Sequence, residues 1–344
     1  MTQMRVAVTP GAFTGQKNTL ARSAGEGCVL LGPVVSPDQA EVALFPFDLA
    51  SCLRSEYDRS ELLDLVASNA RRGLRTLLLL THDHVAPLNV GQPESIVLRT
   101  SMQWSLAYCS EYPLPIVVDD PYGAGTFEPR PWTPLPVVGF IGHSGILGLH
   151  RAARAARAGV TGPVPPGHVS GEISMVDEVL KTPLNMGLYI RQRALKALRS
   201  SEIVRAWIVE RDRYFFHFDP VARLQLRDEY LRHLFSSDYI LCVRGAGNFS
   251  IRLFETLAAG RVPVIVDTDL ALPCADVIDW QGLGVWIPIG EIDRIDEVVA
   301  RSHAEDGVEG FEQRQRAARA AFVDVLSAKG FAGYVAQHLQ VEWA

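Results

Sequence analysis

The sequence predicts an α/β protein whose two Rossmann-like halves face each other across a cleft, and three observations lead to that fold class. Short runs that are apolar on both faces, such as residues 77–80 and 262–266, recur along the chain and read as buried parallel strands. At 344 residues the chain exceeds the ~250–300 residues at which a single core stops growing, so two domains are expected. A stretch rich in Gly and Pro, residues 122–136, has the composition of a linker between them. The expected division is a first half over residues 1–133, a second over 134–325 and a terminal helix over 326–344.

In the first half, residues 4–8, 29–31 and 41–45 read as strands, the last stopping before Pro46. Residues 59–72 place Leu62, Leu63, Leu65 and Val66 at helical spacing, with Gly73 as the stop. Residues 76–80 form a strand that opens into Thr81, His82, Asp83 and His84, and residues 116–118 another that opens into Asp119 and Asp120. Polar loops at strand ends are where a cleft lies in open α/β sheets. In the second half a strand at 137–141 runs into Gly142, His143, Ser144 and Gly145, with an alanine-rich helix at 147–158. Residues 159–187 read as a long loop with one short helix. Helices at 189–198 and 224–235 flank a strand at 203–209, and the chain from Ile292 is helical to an amphipathic end at 334–341.

Composition excludes several function classes. A net charge of −6 without a basic stretch argues against a nucleic-acid partner. The apolar runs fall far short of the ~20 residues that a spanning helix needs, and the N-terminus has no sustained apolar core of a signal peptide, so a cytoplasmic protein is expected. The five cysteines are odd in number and lack CxxC spacing, which favours free thiols over a disulfide frame or a zinc site.

Residues 236–289 carry the most chemistry. The run 239–243 is a strand, and Arg244, Gly245, Ala246, Gly247 and Asn248 follow with turn chemistry. Ser250 reads as the N-cap of a helix whose apolar face is Leu253, Phe254, Leu257 and Ala258, with Gly260 as its stop. A helix N-terminus at the carboxyl end of a parallel strand offers free N–H groups to phosphates. Arg244 and Arg252 flank the loop, and a guanidinium suits a departing diphosphate because it is a bidentate fork that stays charged. A surface ion pair to Glu255 or Asp238 is the alternative for either arginine.

The ordered series CVRG, SIRLFETLAAGRVPVIV and DVIDW also resembles the exostosin-type glycosyltransferases, whose pattern runs CxRG, SxRLxEAL, GCxPVI and an Asp-Trp pair. Arg261 stands where that family has Cys, and Thr256 where it has Ala. The resemblance implies the two-Rossmann glycosyltransferase architecture (GT-B type), with the nucleotide sugar on the second half, the acceptor on the first, and the final helix packed back on the first. It implies an inverting transfer from a nucleoside diphosphate sugar, UDP first among them, to a hydroxyl of a soluble or lipid-linked glycan, at the inner membrane face by peripheral contact, with no metal or other cofactor.

On that reading the donor site comprises Arg244, Gly245, Gly247, Asn248, Ser250, Arg252 and Glu255, with Gly142, His143 and Arg191 facing the cleft, and Glu255 accepts the ribose hydroxyls. Helix-dipole stabilisation is the alternative role for Glu255. The base that takes the acceptor's proton is sought in Asp83, His82 and His84, because the plant members carry an Asp-His pair that this segment resembles, with Asp119 next. A structural loop at 81–84 and an Asx turn at 119–120 are the alternatives. A sugar-nucleotide epimerase or phosphorylase, or a non-catalytic carbohydrate-binding relative, fits the same scaffold, since fold alone does not fix reaction.

Overall fold

The computed structural model describes residues 5–8, 35–49, 56–81, 83, 95–107, 110–144, 183–211 and 219–341. They build two five-stranded sheets, each wholly parallel. The first runs in chain order: β1 (Val6–Val8), β2 (Val42–Asp48), β3 (Arg75–Leu80), β4 (Ser95–Arg99) and β5 (Glu111–Pro113). The second contains β6 (Val137–His143), β7 (Arg205–Arg211), β8 (Tyr239–Cys242), β9 (Val262–Asp267) and β10 (Val285–Pro288), in the spatial order β10-β9-β8-β6-β7. The expected strand at 29–31, the helix at 147–158, His82 and His84 lie outside the described residues.

Alternation along the strands sorts the cores. In the first sheet Leu44, Leu77, Leu79, Ile96 and Leu98 share one apolar cluster, while Phe45, Leu78, Leu80 and Val97 form another with Leu62 and Val66 of helix α1 (Glu56–Ala70). In the second sheet Tyr239, Leu241, Val262, Val264 and Val266 pack with helices α2 (Pro183–Arg199) and α6 (Ile295–Ala321). The opposite face gives Ile240, Cys242 and Ile265 to helix α4 (Ile251–Ala258), through the Leu253, Phe254, Leu257 and Ala258 stripe read from the sequence. Three shorter or flanking helices complete the set: α3 (Pro220–Ser236), α5 (Trp280–Leu283) and α7 (Ala328–Val341). Asp219 caps α3 by accepting from the Val221 and Ala222 N–H groups, and Pro220 takes a position where no N–H is needed. Phe331 and Val335 of α7 belong to the same cluster as the inner face of the first sheet.

Several boundaries differ from expectation for identifiable reasons. β2 does not stop before Pro46 but runs through it to Asp48, with a register shift between Leu44 and Asp48 that accommodates the missing N–H. No strand forms at 116–118. The fifth strand is Glu111–Pro113, and residues 114–120 are irregular, Pro115 removing a donor within the run. β4 supplies a strand where none is expected. α2 begins at Pro183, inside the segment expected as loop. Asp279 caps α5, and Trp280 is buried with its indole N–H donated to Pro273 O, a core residue as its apolar surroundings suggest.

The Pro-rich stretch is not a loose tether. It is strapped to the second sheet's helices. Tyr122 donates to Ala259 O, Arg130 donates Nε–H to Asp238 at 2.7 Å, and Gln315 exchanges two hydrogen bonds with the Arg130 backbone. Trp132 stacks on His303 with ring centroids 5.1 Å apart and donates to its carbonyl, while His303 bonds Tyr239 and Thr133 O. Phe127 lies where a side chain on Gly260 would have to go, and Gly260 has φ +58°. Gly260→Ala therefore combines left-handed backbone strain with overpacking. It is expected to destabilise the fold by about 2–5 kcal/mol in urea titration, with no change in the m-value.

Candidate functional site

Counted from β6, the second sheet has the order 2-1-3-4-5, and its topological switch point lies between β6 and β8. Pairing between these two strands covers only Val138↔Tyr239 and Gly139↔Ile240, so their carboxyl ends part. Two arginines enter the gap. Arg252 of α4 donates to Ile141 O at 2.8 Å and lies 4.5 Å from the Phe140 ring centroid, facing Gly142. Arg191 of α2 donates to both His143 O and Arg244 O, tying the end of β6 to the end of β8.

From β8 the chain passes through Arg244–Asn248 into α4, whose N-cap Ser250 makes no side-chain cap bond. Arg244 is buried and donates through Nη2 to Ala246 O at 3.0 Å. Its Nε is buried without a hydrogen-bond partner among the described residues. Burial pulls its pKa below the usual guanidinium value, and the Asp83 carboxylate opposes that shift. A buried cation with a spare donor is costly unless an anion completes it.

Asp83 is the sequence-predicted base that the structure brings to this loop. It comes from the loop after β3 in the first sheet, and a Cβ placed on Gly247 would lie 2.8 Å from its Oδ1. Gly247 is thus a close-approach position between the two halves. The remaining candidates divide into engaged and displaced groups. The Asn248 side-chain amide is spent on Met102 O (3.0 Å), Thr268 O (3.2 Å) and Asp269 O (3.1 Å), so it holds loops together instead of facing a ligand. Glu255 accepts from Arg227 (2.6 Å) and from Tyr230 (2.6 Å) on α3, so both carboxylate oxygens have protein partners in this structure. Asp119 is exposed in the strap. Its neighbour Asp120 makes the turn, accepting from Tyr122 N–H and from Arg319. Burial pushes the Asp120 carboxyl up, but Arg319 and the Tyr122 N–H outweigh it and its pKa lies below the usual value. Arg319 and Tyr122 bond the carbonyls of Ala258 and Ala259, so Asp119 sits at the C-terminal end of α4. The loop is at the other end, and an eight-residue helix spans about 12 Å. Asp119 is not brought to the Arg244 loop.

Sequence reasoning missed the partners: Ser101, Thr268, Asp269, Arg227 and Tyr230. Each acts through a carbonyl, a hydroxyl or a distant side chain that no local pattern marks. Asp269, at φ 59°, accepts from Ser105 and presents its carbonyl to Trp104 N–H. A small pocket beside the loop is lined by Cys242, Phe249, Leu253, Ile265 and Leu270 together with Arg244. Among the described residues no group of three His, Cys, Asp or Glu is placed to hold a metal ion, and no helix is long and apolar enough to cross a membrane. The Cys242 thiol is pushed up to about 12 by burial, and Cys274 is raised further. Both are expected to resist iodoacetamide in the native protein at mildly alkaline pH and to react once it is unfolded in guanidinium, as read by peptide mass mapping.

Residues 184–301 match the family model of the Exostosin GT47 domain. Among curated relatives, a protein named "Probable glucuronosyltransferase" from Oryza sativa subsp. japonica is 32% identical over 77 residues, covering 22% of this chain and 18% of the relative. One named "Probable beta-1,4-xylosyltransferase" from Arabidopsis thaliana is 34% identical over 61 residues, 18% of this chain and 15% of that one. The chain thus spans less than a fifth of the length of these relatives. Among solved structures, TarM aligns with 86% of this chain and 59% of its own at a TM-score of 0.38 and 11% identity. WaaG, titled a glycosyltransferase involved in lipopolysaccharide biosynthesis, aligns with 98% and 100% at 0.34 and 11%. These structural likenesses are loose, whereas the family match encloses the arginine-bearing loop, the helix it feeds and both arginines of the switch-point gap. Over residues 184–301 this chain is exostosin-like.

Proposed function

We propose that the protein is an inverting glycosyltransferase that moves a sugar from a UDP-sugar to a hydroxyl of a glycan. One observation carries the reading: a buried Arg244 with a spare Nε, at the switch point of an exostosin-like half, adjoins a carboxylate from the other half. Arg244 and the N–H groups at the start of α4 neutralise the diphosphate, as oriented dipoles and a fixed cation do at helix N-termini. The acceptor oxygen attacks the anomeric carbon and its proton passes to the Asp83 carboxylate. The bond from that carbon to the diphosphate oxygen breaks, and the electron pair leaves on the diphosphate. His82 and His84 flank this base in the chain and are the other groups able to take the proton. Gly245 and Ser250 complete the donor loop, and Glu255 reaches a ribose only by exchanging Arg227 or Tyr230 for its hydroxyls. The names of the relatives make glucuronosyl and xylosyl the first sugars to try.

Calorimetric titration with UDP, GDP, TDP, ADP and CMP tests the donor reading, and failure of all five to bind sinks it. Arg244→Ala is expected to weaken UDP by about 1.5–3 kcal/mol, roughly 10- to 150-fold, and to leave uridine binding almost unchanged. Equal losses for uridine and UDP would remove the phosphate assignment. Asp83→Asn is expected to lower turnover ~10² to 10⁴-fold at nearly constant UDP affinity. If turnover and its pH dependence are preserved, the base is not Asp83, and His82→Ala and His84→Ala become the variants to measure.

A further inference from the structure

Asp83 and the Arg244 loop belong to different sheets, and their separation depends on whatever holds the two sheets' strand-end loops in register. The segment after β4 lies against the segment after β9. Gln103 and Leu270 form an antiparallel bridge, Trp104 N–H donates to Asp269 O, and Ala271 N–H donates to Met102 O. At the inner end of this contact is Ser101, which is fully buried. Its hydroxyl donates to Asp83 O at 3.1 Å and accepts from Asn248 N–H at 2.9 Å. One side chain therefore touches the backbone of the proposed base and the backbone of the donor loop, one residue from Gly247.

Ser101 is itself held from behind. Its carbonyl accepts from Arg99 Nε at 2.8 Å, and Arg99 pairs with Glu111 at 2.8 Å, both side chains 1% exposed. Such a buried pair tolerates little displacement, because separating the charges leaves each uncompensated in an apolar surrounding. The hydroxyl is thus fixed by the first sheet's interior and not by the flexible rotation of a surface serine.

We propose that Ser101 is a positioning residue for the transfer reaction: its hydroxyl sets where the Asp83 carboxylate stands relative to the donor loop. This rests on the reading of Asp83 as the base. Misplacing a reacting group by about 1 Å costs on the order of 10²-fold in rate, so one lost hydrogen bond at this junction is felt in turnover before it is felt in binding.

The test is a double-mutant cycle in the full chain with Ser101→Ala and Asp83→Asn, following UDP release from UDP-glucuronate and UDP-xylose, with UDP affinity and melting temperature measured for each variant. Ser101→Ala alone is expected to lower kcat about 10- to 100-fold with UDP affinity within about twofold, and to change kcat less than about twofold once Asp83 is Asn, because the two act as a unit. Equal factors in both backgrounds, an unchanged kcat, or a parallel fall in UDP affinity would overturn it, since a merely structural serine acts without regard to residue 83. If Ser101→Ala does not fold, Ser101→Cys, which keeps a weak donor and acceptor of similar size, takes its place in the cycle with the same criteria. A silent Asp83→Asn, or a wild type that binds UDP yet releases none from either sugar nucleotide, removes the step that Ser101 would serve; either is seen without any Ser101 variant and so is told apart from a failure of Ser101 itself.

Discussion

The relation between the two sheets hangs on a carboxamide. Asn248 carries its Nδ2–H groups to the carbonyls of Met102, Thr268 and Asp269, takes a hydrogen bond from Thr268 Oγ1 at 2.7 Å, and is almost wholly buried. Around it the strand-end loops of β4, β8 and β9 meet, and each contributes mainly backbone. Backbone groups buried at a junction must be satisfied, and one amide with both donors and an acceptor serves three segments at once. The junction is therefore a polar lock set beside the apolar cluster that both sheets share, and it adds orientation to that packing because hydrogen bonds have direction.

The switch-point gap shows the complementary device. Where β6 and β8 diverge, carbonyls along β6 lose their ladder neighbour on that side, and Arg252 and Arg191 replace it. Both arginines hold the gap's walls through their terminal nitrogens, whereas Arg244, with its own buried Nε still to give, has a carboxylate from the opposite sheet beside it. Electrostatic work at the site thus falls on a cation that the surrounding cations have positioned.

The strand, loop and helix over residues 239–266 are legible because their determinants are local: an apolar run, a turn, a cap and an apolar stripe at helical spacing. Asp83 is legible because it follows an apolar strand directly. What escapes the sequence is the choice of partner. Asn248 looks like a ligand residue, yet its amide finds a carbonyl 146 residues away, and a carbonyl has no signature of its own. Glu255 sits at the right helical position, but Arg227 and Tyr230 reach it from α3, one helix earlier. Asp119 fails for a coarser reason, since the regular strand ends at Pro113 and the chain then turns to the far end of α4.

The strap has a consequence for how this chain divides into inheritable parts. Tyr122, Phe127, Arg130 and Trp132 fill sites on the second sheet's helices, and Asp238 and His303 each take part of their hydrogen bonding from the strap. The physical unit of the second half accordingly starts near residue 119, eighteen positions before its first strand begins at Val137. Recombination at the first strand would take the Arg130 guanidinium from the buried Asp238 carboxylate and the Thr133 carbonyl from the buried His303 imidazole, whereas a crossover just before the strap would keep both contacts. Exchange of first halves between relatives is mechanically easiest at that earlier point.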